Sequence, residues 1–423
     1  MELEDIARRI TPSEGELKSV ERVAGRLISE ISNRGYKVIW VGSSARNTFV
    51  KGERDIDVFV VFPPDSSAQE MQRELFSIAR DVLGGYEKKY AQHPYAHALR
   101  EGFDVDLVPC HPYGKGKLTP VDRTPEHHRY VSSRLNDETR EEIRLLKQFL
   151  KGCGLYGAES SVHGFSGYLC ELLILHYGSF EKTLGEGARW RHGTTIGIKD
   201  ATRMEGPLVL IDPVDPERNV AAALSRNSFA LFIQSARRYL ESPSERFFFP
   251  EEKEKTNSGE EFARRGTEIL YVHFPKPDLV DEILYPQVEK LEDGLRRALE
   301  MDGFRIFRSL IEIDEEVEVL IEHTCLKSEV EKHLGPYLWD FENSERFWDI
   351  HKNKNPYIEN GRWYVDLYKS KDAPTLIEEK FDKIAMGKNL KRIGEEMRVE
   401  LFDPGSNEEL LTKLLHPPHP WDP

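Results

Sequence analysis

Cysteine is scarce: Cys110, Cys153, Cys170 and Cys325 lie far apart in 423 residues, and none belongs to a CxxC pair. That spacing supports neither a disulfide framework nor a zinc site. Any apolar run of membrane-spanning length is also missing, as is a signal-peptide pattern, so the expectation is a soluble, reduced, cytoplasmic protein. Basic residues are outnumbered, 59 Lys and Arg against 74 Asp and Glu, for a net charge of −15. A surface uniformly attractive to nucleic acid is thereby excluded, and a nucleic-acid partner would need local basic patches. Candidates are Lys115 with Lys117, Arg189 and Arg191 with His192, Arg305 with Arg308, and Lys388 and Lys391 with Arg392; each reads equally well as a solvated face. There is no internal repeat. What the chain does have is 39 % hydrophobic residues, enough for real cores, and a length that favours about two to four domains.

The most informative stretch is WVGSSARNTFVKGERDIDVFVVF, from Trp40 to Phe62. One apolar run ends in Gly42-Ser43-Ser44, and a second opens with Asp55 and Asp57, one residue apart. Alternate side chains of a strand share a face, so these carboxylates project together while Ile56 points inward. Such a pair is costly unless a cation lies between them. Upstream, Gly42 lets the backbone approach a ligand closely, and a helix starting at Ser43 or Ser44 would aim free N–H groups at a phosphate. Either feature alone is weak; Gly-Ser followed by Asp-x-Asp on a continuous β run is much more specific. A third carboxylate for phosphoryl transfer is available in GFDVDLVPC, where Asp104 and Asp106 alternate and the pattern does not choose between them.

The rest of the chain alternates helical and extended patterns. Thr11-Pro12 reads as the start of a helix whose Leu17, Val20, Ala24, Leu27, Ile28 and Ile31 form one stripe as far as Gly35. Met71, Leu75, Ile78 and Val82 mark a second helix and are core positions, not a ligand pocket. QHPYAHALREGFDVDLVP reads as a β hairpin with His93, Tyr95 and His97 alternating. These histidines are read as structural or as supports for the ligands, because the nearby carboxylates suit magnesium and not zinc. From Asp137 the pattern turns helical, with Lys147 read as a snorkelling lysine, and HGFSGYLCELLILHYG is apolar enough to be buried. LVLIDPVDPERNVAAALS suggests strand, turn and helix, with Asp212, Asp215 and Arg218 clustered at the turn as a salt-bridged cap. A domain junction is expected between Glu241 and Glu260, where Ser, Pro, Glu and Lys accumulate. Beyond it, EILYVHF, a helix from Tyr285 to Leu299, FRIFRSLIEI and VEVLIEHT suggest a small α+β sandwich that would bind RNA by shape. Trp339, Phe347, Trp348 and Trp363 read as core, and the Pro-rich LLHPPHPWDP stays unassigned.

Gly-Ser, Asp-x-Asp and a later strand Asp resemble the nucleotidyltransferase superfamily that includes DNA polymerase β and poly(A) polymerase. More closely, VGSSARNTFVKGERDIDVF, QHPYAH, VDLVPC, VDRTPEHH, LLKQFLK, LYGAE, GFSGYLCELL, DPVDPERNVA, LYPQ and ENGRW resemble the archaeal class I CCA-adding enzymes, which are tRNA nucleotidyltransferases. The resemblance runs in order from about Val38 to Trp363 and fades after it.

That resemblance implies an α+β multidomain fold: a polymerase β-like nucleotidyltransferase head (1–138), a helical neck that recognises nucleotide (139–250), a body (251–300 and 370–423) and a tRNA-binding tail (301–369). It implies that Asp55, Asp57 and Asp106 hold two Mg2+ ions about 4 Å apart, Asp106 being chosen over Asp104 by its place before Val-Pro. Relatives often carry Glu where this chain has Asp55, a change that keeps a magnesium ligand. Around CTP or ATP it places Ser43, Arg46, His127, Lys147, Tyr156 and Arg218, with His127 at the triphosphate, Lys147 and Tyr156 reaching the phosphates from the neck, and Arg218 at the base. Partners would be tRNA, CTP and ATP, with no membrane and a homodimer left open. Three other readings stand beside it: a poly(A) polymerase or small-substrate nucleotidyltransferase, a non-catalytic RNA-binding module with a vestigial fold, and a polar scaffold whose acidic pair only caps a turn.

Overall fold

The computed structural model describes residues 3–90, 94–112, 121–197, 204–251, 258–324, 330–368, 372–417, 419 and 421. His93, Lys115, Lys117 and Cys325 lie outside them. The chain divides into one unit of residues 1–252 with 419–423 and another of 253–418.

In the first unit, α1 (Leu3–Ile10), which sequence reasoning missed, precedes α2 (Glu14–Ser32). The cap of α2 is Ser13 and not Thr11. Ser13 accepts from the Glu16 amide while Glu16 reaches back to the Ser13 amide, and the Thr11 hydroxyl is already committed to the Ala7 carbonyl. Next come β1 (Lys37–Val41), α3 (Gly42–Arg46), β2 (Asp55–Val61), α4 (Ala68–Leu83), β3 (Glu87–Tyr90), β4 (Pro94–Arg100) and β5 (Phe103–Cys110). The five strands lie in the order β1-β2-β5-β4-β3; β2 and β5 run parallel and the other neighbours antiparallel. Alternation sends Ile56, Val58, Val60, Val105 and Leu107 into a core shared with Leu27 and Ile31 of α2 and Leu75 and Ala79 of α4. With one face of the sheet covered by those helices, the aspartates between these positions emerge on the other.

The unit continues with α5 (Thr124–Ser132), α6 (Asp137–Gly152), α7 (Gly167–Tyr177), α8 (Phe180–Gly187), β6 (Thr194–Ile196), β7 (Leu208–Leu210) and α9 (Arg226–Glu241). Phe149, Phe165, Leu173, Phe180, Phe232 and Phe248 centre a second core, and α1 joins it through Ile6, Ala7 and Ile10. The segment after Arg218, expected to be helical, forms turns instead. Asn219 accepts from the Leu210 and Ala221 amides and ties the segment to β7, so the helix begins only after the Ser225 cap.

The second unit contains α10 (Ser258–Arg265), β8 (Thr267–Pro275), α11 (Asp281–Met301), β9 (Ile306–Ile313), β10 (Glu316–Thr324), β11 (Val330–Tyr337), α12 (Phe341–His351), β12 (Tyr357–Glu359), β13 (Arg362–Tyr368), α13 (Ala373–Lys380), β14 (Arg398–Leu401) and α14 (Glu408–Leu415). Strand, helix, strand and strand appear as expected, in an antiparallel sheet ordered β14-β8-β10-β9. Its core includes Leu270, Val272, Leu291, Leu295, Val319 and Ile321. The expected boundary at residue 301 cuts through this sheet, because β10 pairs with β8 in unbroken register from Glu316–Pro275 to Thr324–Thr267. Among the described residues of the expected tail, only β11, β13 and β12 form a sheet of their own.

The aromatic expectation there is half corrected. Phe347 is buried and Trp363 half-buried, but Trp339 is 74 % and Trp348 40 % exposed. A sheet covered by one helix buries that helix's inward stripe, and residue 348 falls off the stripe that 347 occupies. No helix among the described residues is long and apolar enough to cross a membrane.

One buried ion pair fixes the edge of β10. Arg265 donates to the two oxygens of the fully buried Glu322 at 2.6 and 2.9 Å, and the Thr267 hydroxyl donates at 2.7 Å. Arg265→Ala leaves that carboxylate without its counter-charge and is expected to destabilise the second unit by about 3 kcal/mol in denaturant unfolding; a loss below about 1 kcal/mol would show the pair to be dispensable.

Candidate active site

Register assembles the acidic centre. Asp55 lies abreast of Asp104 and Asp57 abreast of Asp106 on the parallel strands β2 and β5, so all four carboxylates share the face away from α2 and α4. Together with Ser43, Lys89 and His97 they line a cleft of about 460 Å³. His97 stands opposite Asp106 on β4 and contacts its carboxylate through Nδ1 at 2.7 Å, with Nε2 3.6 Å from Asp104. His97 therefore supports the acidic residues, as expected for that histidine. Both sequence alternatives face the cleft: the Asp106 side chain is 30 % exposed and that of Asp104 53 %.

The turn between β1 and α3 is shaped around Asp57. Gly42 has φ +80°, and a Cβ there would stand 2.1 Å from Asp57 Oδ2, so only glycine admits both the backbone and the carboxylate. Five residues of α3 then carry Arg46 away from the cleft to Glu171 of α7. Glu171 is wholly buried; its Oε1 accepts from Arg46 Nε at 3.0 Å and from the Thr48 hydroxyl at 2.6 Å, and its Oε2 lies 3.0 Å from Arg46 Nη2 as an ion pair. Lys147 is no snorkelling surface lysine. Its ammonium is fully buried, donates to the Thr48 carbonyl at 3.0 Å and lies 4.0 Å from Glu171. Arg140 and Arg144 of the same helix donate to the carbonyls of Arg46, Asn47 and Phe49, holding the segment that follows α3. Tyr156 is half-buried, under Lys151 at 5.2 Å from its ring centre, with its hydroxyl next to Gly167.

A third group forms around Asp212, also wholly buried. Its Oδ2 meets His127 Nε2 at 2.8 Å and Arg218 at 3.0 Å; its Oδ1 accepts from Tyr168 at 3.2 Å and the Val214 amide at 3.0 Å. The His127 and Tyr168 rings stack with centroids 4.3 Å apart, and Arg123 pairs with Asp215 at 2.8 Å. The Asp212–Arg218 pair is the salt bridge expected at that turn. His128, adjacent to His127 in sequence, has its Nδ1 3.5 Å from Arg46 of the previous group.

Of the nine residues singled out from sequence, Ser43, Asp55, Asp57 and Asp106 share the cleft; Arg46 and Lys147 meet at Glu171; His127 and Arg218 meet at Asp212. Tyr156 touches none of the others through a hydrogen bond. Glu171 was missed, hidden in an apolar helix where a lone Glu was the only signal, and the role of Asp212 as a shared acceptor was not visible. Among the basic patches, Arg189, Arg191, His192, Arg305, Arg308, Lys388, Lys391 and Arg392 are exposed, and Arg308 also donates to the Leu415 carbonyl.

The charges explain what the cleft can hold. Asp57 is pushed up to about 7 from 3.8 by burial, then by the charges of Asp106 and Asp55, with Arg46 opposing. Burial raises Asp55 as well, helped by Glu53, Asp104 and Asp106, and raises Asp106 against the pull of His97. Burial lowers Lys147, opposed by Glu171. Burial would also raise Asp212, but the His127 and Val214 hydrogen bonds and the nearby positive charges outweigh it and hold the carboxyl below its usual range. No three His, Cys, Asp or Glu side chains among the described residues enclose an ion as they stand. The donor set nonetheless fits a hard divalent cation: all oxygen, mutually repelling, with Asp57 carrying the largest unmet charge.

Three family models match the chain: "Nucleotidyltransferase domain" over residues 20–131, "tRNA nucleotidyltransferase, second domain" over 141–249, and "CCA-adding enzyme, C-terminal domain" over 265–400. Among curated relatives, the CCA-adding enzyme of Archaeoglobus fulgidus is 38 % identical, covering 97 % of this chain and 95 % of its own. That of Methanosarcina mazei is 36 % identical over 91 % and 90 %, and that of Methanopyrus kandleri 40 % over 81 % and 78 %. Among solved structures, the Cid1 poly(U) polymerase matches with a TM-score of 0.46 and 14 % identity, over 59 % of this chain and 94 % of that one.

Two outcomes test this geometry. Gly42→Ala is expected to cost about 1–3 kcal/mol from the left-handed backbone alone and to displace Asp57; a variant with wild-type melting temperature and undisturbed cleft would refute the close approach. For Asp57, a folded-state pKa above the unfolded 3.8 means that the fold resists ionisation, so the metal-free chain loses stability as pH rises from about 4 toward 7. Asp57→Asn, never charged, is expected to melt above wild type in chelator by a margin that grows between about pH 5 and about pH 8. A margin independent of pH would mean that Asp57 ionises freely.

Proposed function

The chain belongs to the family of CCA-adding enzymes, and from that premise we propose that it extends the 3′ end of tRNA by C, C and A, without a nucleic-acid template, from CTP and ATP. The observation that carries the assignment to a particular site is the pairing of Asp57 with Asp106, and Asp55 with Asp104, on one face of two parallel strands beside the Gly42 turn.

Asp55, Asp57 and Asp106 would hold divalent cations, magnesium being the one that their oxygen donors and the triphosphate suit best. When bound, such ions lower the pKa of the primer's 3′ hydroxyl and offset the charge of the triphosphate and the leaving pyrophosphate. The primer oxygen attacks the α-phosphorus in line: a new O–P bond forms, the bond to the β-phosphate bridging oxygen breaks, and the hydroxyl proton is lost to the medium. Little covalent chemistry is asked of the protein, so placement and charge dominate.

The remaining side chains supply placement. Ser43 lines the cleft at the turn, and Arg46, one helical turn later, is held on Glu171 within electrostatic reach of Asp57. His97 holds Asp106 in orientation, a support that favours Asp106 over the more exposed Asp104 as the third ligand. His127 would meet the triphosphate and Arg218 the base, while Lys147, buried between the Thr48 carbonyl and Glu171, and Tyr156 would support the phosphate side from the helical layer. For tRNA, the β11–β13–β12 sheet with α12 is the favoured contact region, where Trp339, 74 % exposed, stacks on Tyr337 and Arg362 lies over Tyr337 at 3.9 Å.

Radiolabelled CTP and ATP supplied to tRNA lacking its terminus should enter as two cytidines and then one adenosine. A homopolymer of A, or transfer to a small hydroxyl compound in preference to tRNA, would support the poly(A) polymerase or small-substrate reading instead. Asp106→Asn should lower transfer by at least about a thousandfold with tRNA affinity nearly unchanged, since phosphate contacts elsewhere dominate binding. Transfer retained in that variant and lost in Asp104→Asn would reverse the choice between the two.

A further inference from the structure

Asp212 brings together two parts of the chain that are distant in sequence. His127 lies on α5, directly after the nucleotidyltransferase sheet, whereas Arg218 sits in the turn beyond β7. One carboxylate oxygen touches both, at 2.8 and 3.0 Å, and the other accepts from Tyr168 of α7, whose ring stacks on His127. A second tie between the same two parts, Arg123 to Asp215 at 2.8 Å, flanks the first. The Asp212 side chain has no solvent exposure, so water cannot take the place of either partner. Arg218 keeps 36 % of its side chain exposed and one bond to Asp212, which leaves most of its guanidinium N–H groups for a ligand. His128, the residue after His127, has its Nδ1 3.5 Å from Arg46.

We propose that Asp212 is a positioning residue for nucleotide selection: it holds the base-side Arg218 and the phosphate-side His127 on one carboxylate, so that a nucleotide with the wrong base also misplaces its triphosphate. The proposal rests on the roles assigned above to His127 and Arg218. A purely structural aspartate would affect folding or overall rate; one that positions these two side chains affects discrimination. With the cleft carboxylates untouched, the loss falls on binding and choice of nucleotide more than on chemistry.

The test uses the full-length enzyme and tRNA lacking its terminus, with kcat and KM measured separately for CTP and UTP. Asp212→Asn should raise the KM for CTP roughly ten- to a hundredfold and reduce the ratio of kcat/KM for CTP over UTP by about tenfold, while kcat at saturating CTP falls by less than about threefold. A folded Asp212→Asn enzyme with an unchanged ratio overturns the proposal. Should that variant not fold, His127→Gln, Arg218→Gln and their combination are compared with Asp212 intact. Their effects on the ratio should combine to less than the product of the singles, by about threefold or more; independent effects overturn the coupling. If neither single variant alters nucleotide use, the nucleotide-site assignment itself fails and this proposal with it, a result distinguishable from an Asp212 variant that is silent while the singles are not.

Discussion

Four carboxylates on one face of two parallel strands repel one another, and much of the first unit is arranged around that repulsion. Neighbouring strands are about 4.8 Å apart, so Asp57 and Asp106, abreast of each other, cannot both ionise cheaply without a counter-charge. The hydrophobic alternation that buries Ile56, Val58, Val105 and Leu107 leaves the aspartates no other face. The fold answers with partial remedies: His97 against Asp106, Arg46 within electrostatic reach of Asp57, and Lys89 on the cleft wall. None neutralises the cluster, which is what suits the cleft to divalent cations and a polyphosphate.

Around this acidic cluster the cationic side chains are held by acids of their own. Glu171 and Asp212, both fully buried, gather Arg46, Thr48 and Lys147 on one side and His127, Tyr168 and Arg218 on the other. A buried carboxylate with several donors fixes their geometry and is costly to leave unpaired, so such hubs specify arrangement more than they add net stability. Arg140 and Arg144 complete the join by gripping carbonyls of the segment that follows α3. The sheet and the helical layer thus meet through charged hydrogen bonds between α3, α6 and α7, a rigid support for groups that must meet a triphosphate.

Where side-chain periodicity is the cause, the sequence was readable. The Asp-x-Asp strand, the hairpin of β4 and β5, α4, α6, α7 and the strand–helix–strand–strand run all follow from alternation or from apolar stripes. Caps were less readable: Thr11 looked like a helix start until its hydroxyl proved to close α1, and the segment after Arg218 looked helical although the Asn219 amide group holds it in turns. The expected boundary at residue 301 failed because β8, β10 and β9 share hydrogen bonds that no local pattern records. Trp339 and Trp348 were misjudged because apolar character alone does not say which side of a small one-helix layer a ring occupies.

Sequence by itself determined which residue types could do the chemistry: two aspartates in strand alternation, a glycine where a side chain would collide, and motifs in an order that marks the family. Those are local properties, set by the period of a strand and by resemblance along the chain. Tertiary structure alone decided that Asp104 and Asp106 both face the cleft, that Lys147 is buried beside Glu171, and that His127 and Arg218 share Asp212. Each of those facts depends on strand register or on a contact between segments far apart in the chain, where the low dielectric of the interior turns proximity into a shifted pKa or a fixed hydrogen bond.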